Sequence, residues 1–347
     1  MYIKKILWAI AIIGLVVAGI FGYYIYNAML VPNTAFNNNE AYIFVPSNAK
    51  YAEVREQLEP LLIDIEAFDA LATQKKYTTN LKAGRFVIAK GMSNNDIINS
   101  IRSKNVPLQI AFNNQEKLSK LAGRISFQIE ADSVSLLNAM TDPEFLKSSG
   151  FTSKTALGMY IPNSYEFFWN TSAKSFRDRM LKEYKRFWND SRTAKAKAIG
   201  LTRDEVMTLA SIVHEESKQA SEQPRIAGVY MNRIRIRMPL QADPTLKFAA
   251  YQLPEYKNTI IKRVLNKHKD IKSAYNTYMN SGLPPGLIAM PDVSAIDAVL
   301  NFEKHKYLYF AANAKKIGFH KFAKTLSQHN VNAREYHSYL SSQGINK

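Results

Sequence analysis

The sequence predicts an α+β protein: an N-terminal transmembrane helix, a small α+β module, and a larger mixed α+β domain with a helical hairpin at its centre. Three observations carry that prediction. Residues 6–26 form an uncharged apolar run of about the length needed to cross a bilayer. Two strand-like runs, 41–45 (AYIFV) and 82–89 (KAGRFVIA), alternate with helical runs at 51–62 and 93–101. Further on, helical periodicity dominates until a strand pair at 307–311 and 318–322 precedes a last helix at 331–342. No internal repeat is present.

Composition narrows the function classes. The 347 residues leave room for two modest domains, and 46% hydrophobic content supports packed cores rather than disorder. The formal net charge of +17 suits a polyanion: nucleic acid, anionic lipid headgroups or an acidic wall polymer. Charge does not choose among these, but location does. Lys4 and Lys5 precede the apolar run, and no Lys or Arg follows until Lys50, which places the N-terminus in the cytoplasm. Tyr23, Tyr24 and Tyr26 fall where belt aromatics meet the far interface. A cleaved signal peptide is the competing reading. Against it, the apolar core exceeds the usual length and no small-x-small site follows. The expected location is therefore single-pass in the cytoplasmic membrane, with the bulk extracytoplasmic. That argues against nucleic acid as a partner. With no Cys, disulfides, thiolate metal sites and Cys nucleophiles are excluded.

In order, these readings divide the chain into a cytoplasmic tip and anchor (1–28), an Asn-rich linker (29–40), the small module (41–106), a connecting region (107–150) and the larger domain (151–347). The connecting region holds a strand at 107–112 and helical pattern from 116 to 140. Residues 150–169 are aromatic and loop-like, suited either to core packing or to stacking on sugar faces. Residues 176–198 read as one basic amphipathic helix with a solvated charged face. Residues 260–268 and 294–302 read as further helices.

The stretch 201–245 carries the chemistry. Thr202 and Glu205 have the spacing of a capping box, and Val206, Leu209, Ile212 and Val213 mark one buried helix face. Glu216 continues that face one turn on, whereas Glu215 follows Ser211 toward a more polar side. A carboxyl at the edge of an apolar stripe loses solvation in its charged form, which raises its pKa toward that of a general acid. The ordinary alternative is a solvated helix glutamate. Ser221 and Glu222 precede Pro224, a turn into a second helix at 225–236 bearing Ile226, Val229, Tyr230 and Arg233. A polar loop at 238–245 follows, with Gln241 and Asp243.

His214-Glu215-Glu216 resembles the start of a zincin motif, but the required second His would fall at 218, where Lys218 stands. No metal site and no cofactor is expected. Neither a Gly-rich phosphate loop nor a G-x-S-x-G elbow occurs. The polar set that remains, Glu216, Glu222, Gln241, Asp243, Asn276 and Tyr278, suits protonating and holding a polyol.

The runs ASIVHEES (210–217) and AGVYMNRIRIRMPLQADPT (227–245), with Glu222 between them, resemble the YceG-like/MltG family of membrane-anchored endolytic murein transglycosylases. So do YNTY (275–278), GLPPG (282–286), YLYF (307–310), HKF (320–322) and SQHN (327–330). KAGRF (82–86) resembles the family's LysM-like module, and IPNSY (161–165) the start of its catalytic domain. The likeness covers nearly the whole chain, in order. It implies a LysM-like module at 41–106 and a catalytic domain at 151–347. It also implies cleavage of the MurNAc–GlcNAc β-1,4 bond within nascent glycan strands, leaving a 1,6-anhydroMurNAc end and stopping elongation. The family's acid is the Glu before a small hydroxyl residue, here Glu216 before Ser217. Family members commonly have Glu at the position of His214 and often Lys at that of Glu215, so neither is expected to be essential. Glu222 is expected either to orient Glu216 or to cap the second helix. Gln241, Asp243, Asn276 and Tyr278 are the expected sugar contacts. Implied partners are peptidoglycan strands, membrane lipid through the anchor, and wall-synthesis enzymes. Two other readings stay open: a muramidase hydrolysing the same bond, and a non-catalytic wall-binding scaffold.

Overall fold

A computed structural model describes residues 2–256, 259–261 and 264–343. The apolar run becomes α1 (Tyr2–Leu30), longer than the sequence predicts and with no buried residue. At 1.5 Å per residue its 29 residues span about 44 Å. The chain then builds a mixed α+β fold divided into two units, the first formed by residues 1–110, 128–131 and 165–172 and the second by the remainder. The stretch 107–150, expected as one connecting region, is shared between them.

In the first unit, alternating apolar positions build an antiparallel pair. β1 (Glu40–Val45) and β2 (Gly84–Ala89) run from Glu40 opposite Ala89 to Val45 opposite Gly84. Ile43, Val45, Phe86 and Ile88 point inward, and α2 (Tyr51–Leu58), α3 (Ile65–Gln74) and α4 (Asn94–Ser103) cover them with Leu58, Phe68 and Ile97. Sequence reading passes over α3, which Asp64 caps by accepting from the Ala67 N–H at 2.9 Å. Ser93 and Asp96 cap α4 reciprocally. Gly84 has φ +150°, and a Cβ there would lie 2.5 Å from the Asn105 side chain. That side chain accepts from the Arg85 N–H at 3.0 Å, so the glycine of the KAGRF run makes room for a strand-end hydrogen bond. Residues 29–40, expected as a linker, are fastened to the unit: Asn33 is buried and hydrogen-bonded within it.

β3 (Leu108–Phe112) leads toward the second unit, where α5 (Leu118–Ser126), α6 (Ser133–Met140) and α7 (Pro143–Ser149) follow. Between α7 and β4 (Asn163–Phe167), Tyr160 and Ile161 are buried, as are Tyr165 and Phe167 within the strand, so this aromatic stretch is mainly core. The predicted helix at 176–198 is two, α8 (Ala173–Phe187) and α9 (Asp190–Ala198). The break comes at Asn189, whose side chain caps α9 by accepting from the Arg192 N–H at 3.0 Å.

α10 (Arg203–Glu216) has both halves of the predicted capping box. Every residue from Val206 to His214 is buried, not one face alone. α11 (Gln223–Arg235), α12 (Asp243–Ala250) and α14 (Val293–Leu300) pack around it. Enclosed Ser211 is satisfied in both directions: it donates to the Thr208 carbonyl at 2.7 Å and accepts from the Ile288 N–H at 3.1 Å. Residues 243–245, expected in a loop, open α12. Of the helix expected at 260–268, positions 262 and 263 lie outside the described residues, and α13 is the single turn Asn266–Lys269. The closing hairpin pairs β5 (Tyr309–Ala312) with β6 (His320–Ala323), and α15 (Leu326–Ser342) packs on it.

Candidate active site

Glu216 is the last residue of α10, where the helix leaves the core. Its side chain is half-buried. The Tyr230 hydroxyl donates to Glu216 Oε1 at 2.6 Å. Burial pushes the Glu216 carboxyl up to about 7, and Asp243 adds to the rise, whereas the Tyr230 bond, Arg233 and Lys247 oppose it. A carboxyl poised near neutrality can both give and take a proton at physiological pH.

Tyr230 and Arg233 lie one turn apart on α11. Phe310 meets the Tyr230 ring edge-on at 5.9 Å and restricts its orientation. Arg233 is buried, with Nε donating to the Leu308 carbonyl at 2.7 Å and an η nitrogen to the Leu240 carbonyl at 2.6 Å. Its guanidinium sits over the Tyr309 ring at 5.3 Å. The cation therefore takes its direct bonds from carbonyls and acts on Glu216 through space. The sequence pattern puts Tyr230 and Arg233 on a helix stripe but does not single them out for the site. The available signal was an arginine among apolar positions, since a buried charge requires partners.

The expected residues divide. Asp243 opens α12, and its Oδ1 accepts from the Tyr278 hydroxyl at 2.7 Å; both act on the Glu216–Arg233 neighbourhood. Gln241 has an exposed side chain on backbone with φ +47°, held by its N–H to the Thr277 carbonyl at 3.0 Å. Asn276, by contrast, is 0% exposed. Its amide donates to the Lys269 and Ile271 carbonyls, both at 2.8 Å, and its oxygen accepts from the Tyr278 N–H at 3.0 Å. It organises the loop carrying Tyr278 and is not placed to touch a sugar. Asn276→Ala is expected to destabilise the fold by about 2–3 kcal/mol, because three backbone groups lose their partner on a fully buried side chain. Thermal denaturation measures this; an unchanged midpoint would return Asn276 to the candidate contacts.

Glu222 also stands apart. It is 6% exposed, and its two oxygens accept from the His320 N–H and face His320 Nδ1, each at 2.8 Å. It makes no side-chain cap for α11. Its carboxylate ties the start of α11 to β6, which is neither of the two expected roles. His214 is 2% exposed, with Nε2 2.7 Å from the Asn114 amide, and burial lowers its pKa; it is a packing residue. Glu215 is exposed and paired with Lys218 at 3.0 Å. Among the described residues no cluster of His and carboxylates is arranged to hold a metal.

A cavity of about 860 Å³ lies alongside, with Glu215, Pro244, Lys247, Lys154 and Tyr275 in its wall. Glu216 is not in that wall, but its neighbour Glu215 is, and Lys247 both lines the cavity and acts on the Glu216 carboxyl.

Because the Tyr230 bond favours the charged form, Tyr230→Phe is expected to move the titration of Glu216 further up. Carboxyl ¹³C NMR across the pH range reads this directly; a midpoint unmoved or lowered would remove Tyr230 from the site.

A model of the YceG-like family matches residues 43–335. The chain is 28% identical over 348 residues to an endolytic murein transglycosylase of Bacillus subtilis (strain 168), an alignment covering 95% of this chain and 92% of the relative. To the protein of the same description in Streptococcus pneumoniae (strain D39) it is 26% identical, over 92% of this chain but only 62% of that relative. The crystal structure of a YceG-like protein from Listeria monocytogenes superposes with a TM-score of 0.56 at 26% identity, covering 85% of this chain and 99% of that one.

Proposed function

Since the chain belongs to the YceG-like family, whose model spans most of its length, we propose that it is an endolytic murein transglycosylase and that Glu216 is its catalytic acid and base. The observation that carries this reading is the Glu216 carboxyl itself: half-buried, held by Tyr230, and raised to about 7.

Protonated Glu216 gives its proton to the oxygen joining MurNAc C1 to GlcNAc. The C1–O bond breaks through an oxocarbenium-like state, and GlcNAc leaves with a free 4-hydroxyl. Glu216, now a carboxylate, takes the proton of the MurNAc 6-hydroxyl as O6 closes on C1. The 1,6-anhydro ring forms, the proton count is restored, and no water is consumed. Arg233 and Lys247 stabilise the intermediate carboxylate, which keeps the same group usable in both halves of the reaction. Asp243, steadied by Tyr278, and the exposed Gln241 are the groups placed to hold sugar hydroxyls.

α1 serves as a single-pass anchor with its N-terminus cytoplasmic, and the first unit acts as a LysM-like module. The excess of basic residues then faces wall carboxylates and lipid phosphates. Wall-synthesis enzymes are proposed partners, because strands cut while nascent must be met at the membrane.

Product analysis tests the reaction. The full chain in detergent, given uncrosslinked glycan strands, is expected to release fragments ending in 1,6-anhydroMurNAc. Fragments with reducing MurNAc ends would assign a muramidase instead. Binding without any product would assign a scaffold.

A further inference from the structure

We propose that the face of the first unit around the end of α1 is a bilayer-contact surface, on which Ile63 enters the lipid interface while Lys75 and Lys90 meet phospholipid phosphates. This rests on the reading of α1 as a membrane anchor.

The join between helix and unit leaves no swivel. The Asn94 amide donates to the Ala28 carbonyl at 2.8 Å, capping the last turn of α1 from within the unit. Asn33, three residues past the helix, donates to the Asp64 carbonyl at 2.8 Å and to Asn94 Oδ1 at 2.6 Å. Its own oxygen accepts from the Asp64 N–H at 2.7 Å. Backbone bridges join Pro32 to Ser93 and Thr34 to Leu62, and Met29 and Phe36 pack against the core. A chain held this way transmits the depth of α1 in the bilayer directly to the unit.

What the unit presents at that depth fits a lipid interface. Ile63 bonds through its N–H to the Asn33 carbonyl at 3.3 Å, yet its residue surface is 71% exposed, an apolar side chain standing free beside the helix exit. Lys75 bonds to Asn95, next to the residue that caps α1, and Lys90 reaches the Asn37 carbonyl at 3.4 Å. Among the described residues neither lysine pairs with a carboxylate, so both charges are available to anionic headgroups. The nearby acids are engaged elsewhere: Asp64 caps α3, Asp96 belongs to the α4 capping box, and Glu40 accepts from the Tyr42 hydroxyl. Continuity with the apolar helix, together with the sign of the charge, selects a phospholipid bilayer as the occupant.

Distance along β1 provides an internal control. Its Glu40 end lies at the helix exit, where the Lys90 N–H bonds the Asn39 carbonyl. Its Val45 end is five residues further, roughly 17 Å at the rise of a strand. Thr79 lines the hollow beside that far end, with Pro46 and Ala83.

Because the chain has no Cys, a single one can be placed by Ile63→Cys or Thr79→Cys, both at exposed positions. Each full-length variant, labelled with an environment-sensitive fluorophore, is reconstituted into phosphatidylcholine–phosphatidylglycerol vesicles. The label at 63 is expected to be quenched by chain-attached nitroxide lipid and shielded several-fold from aqueous iodide relative to the label at 79. Shielding is expected to fall when phosphatidylglycerol is omitted, and to lose that dependence in Lys75→Gln/Lys90→Gln. Equal iodide quenching at both positions, in protein that resists alkaline carbonate, overturns the contact surface and leaves the anchor standing. Protein extracted by carbonate overturns both.

Discussion

Glu216→Gln is expected to lower release of 1,6-anhydro fragments by about 10²–10⁴-fold, the usual contribution of a positioned general acid, while making the second unit more stable at neutral pH. The amide keeps the size of the carboxyl and can still accept from Tyr230, so the change removes the proton and little else. The stability effect follows from the raised pKa. In the folded chain the group titrates at about 7 against an ordinary carboxyl value of 4.5, so folding favours the protonated form. Below the unfolded pKa the carboxyl carries no charge penalty. As pH rises from there through about 7, the folded state pays for a poorly solvated charge that the unfolded chain solvates freely. Discounted for the partial exposure of the side chain, that penalty is roughly 1–3 kcal/mol. Glu216→Gln should therefore melt higher than the parent at pH 8, and the gap should close as pH falls toward 4. Activity and stability moving in opposite directions distinguishes a functional carboxyl from one merely holding the fold. A variant that loses both, or that keeps its product yield, would defeat the assignment.

The same residue shows how much of the molecule was legible in the sequence. Local signals were sufficient for α10: Thr202 and Glu205 form the reciprocal cap expected of them, and Glu216 follows the apolar run. What periodicity could not convey was that α10 is enclosed on every side, because Thr208, Ser211 and His214 look like an exposed face until their partners are known. The partners come from distant segments, Asn114 and Ile288 among them. Composition misled at Asn276 for a related reason. An Asn beside aromatic residues suits sugar binding, but a loop built on three hydrogen bonds to one amide suits it equally, and the choice depends on burial. Glu222 was visible as a polar residue at a helix start, whereas His320, nearly a hundred positions on, was not visible as its partner. Residues 29–40 read as a linker because they are rich in Asn; Asn33 shows that such a side chain can instead fasten its segment to the Asp64 backbone and the Asn94 side chain.

The largest structural effect is expected at Gly228, within α11. A Cβ there would lie 2.3 Å from the Glu303 carbonyl oxygen and 2.7 Å from His305 Nε2. Helix propensity alone would favour Ala over Gly by about 1 kcal/mol. The close approach opposes that gain, since the nearest atom is backbone and cannot rotate away. The segment it belongs to is fastened along the helix: Glu303 N–H donates to the Pro224 carbonyl at 2.9 Å, His305 Nε2 lies 2.9 Å from the Arg225 carbonyl, and the Asn232 amide reaches the His305 and Tyr307 carbonyls at 2.8 and 3.0 Å. Arg233 closes the series through the Leu308 carbonyl. Making room for one methyl means lifting this strap, so Gly228→Ala is expected to cost about 3 kcal/mol or more, lowering the melting temperature by several degrees. Because Tyr230 and Arg233 share the helix with Gly228, the geometry around Glu216 is disturbed at the same time, and activity at a temperature where the variant is still folded should fall as well. Thermal denaturation paired with product yield measures both. A variant as stable as the parent would show that residues 303–308 do not lie against α11, and with that the position of Arg233 beside the acid would lose its support.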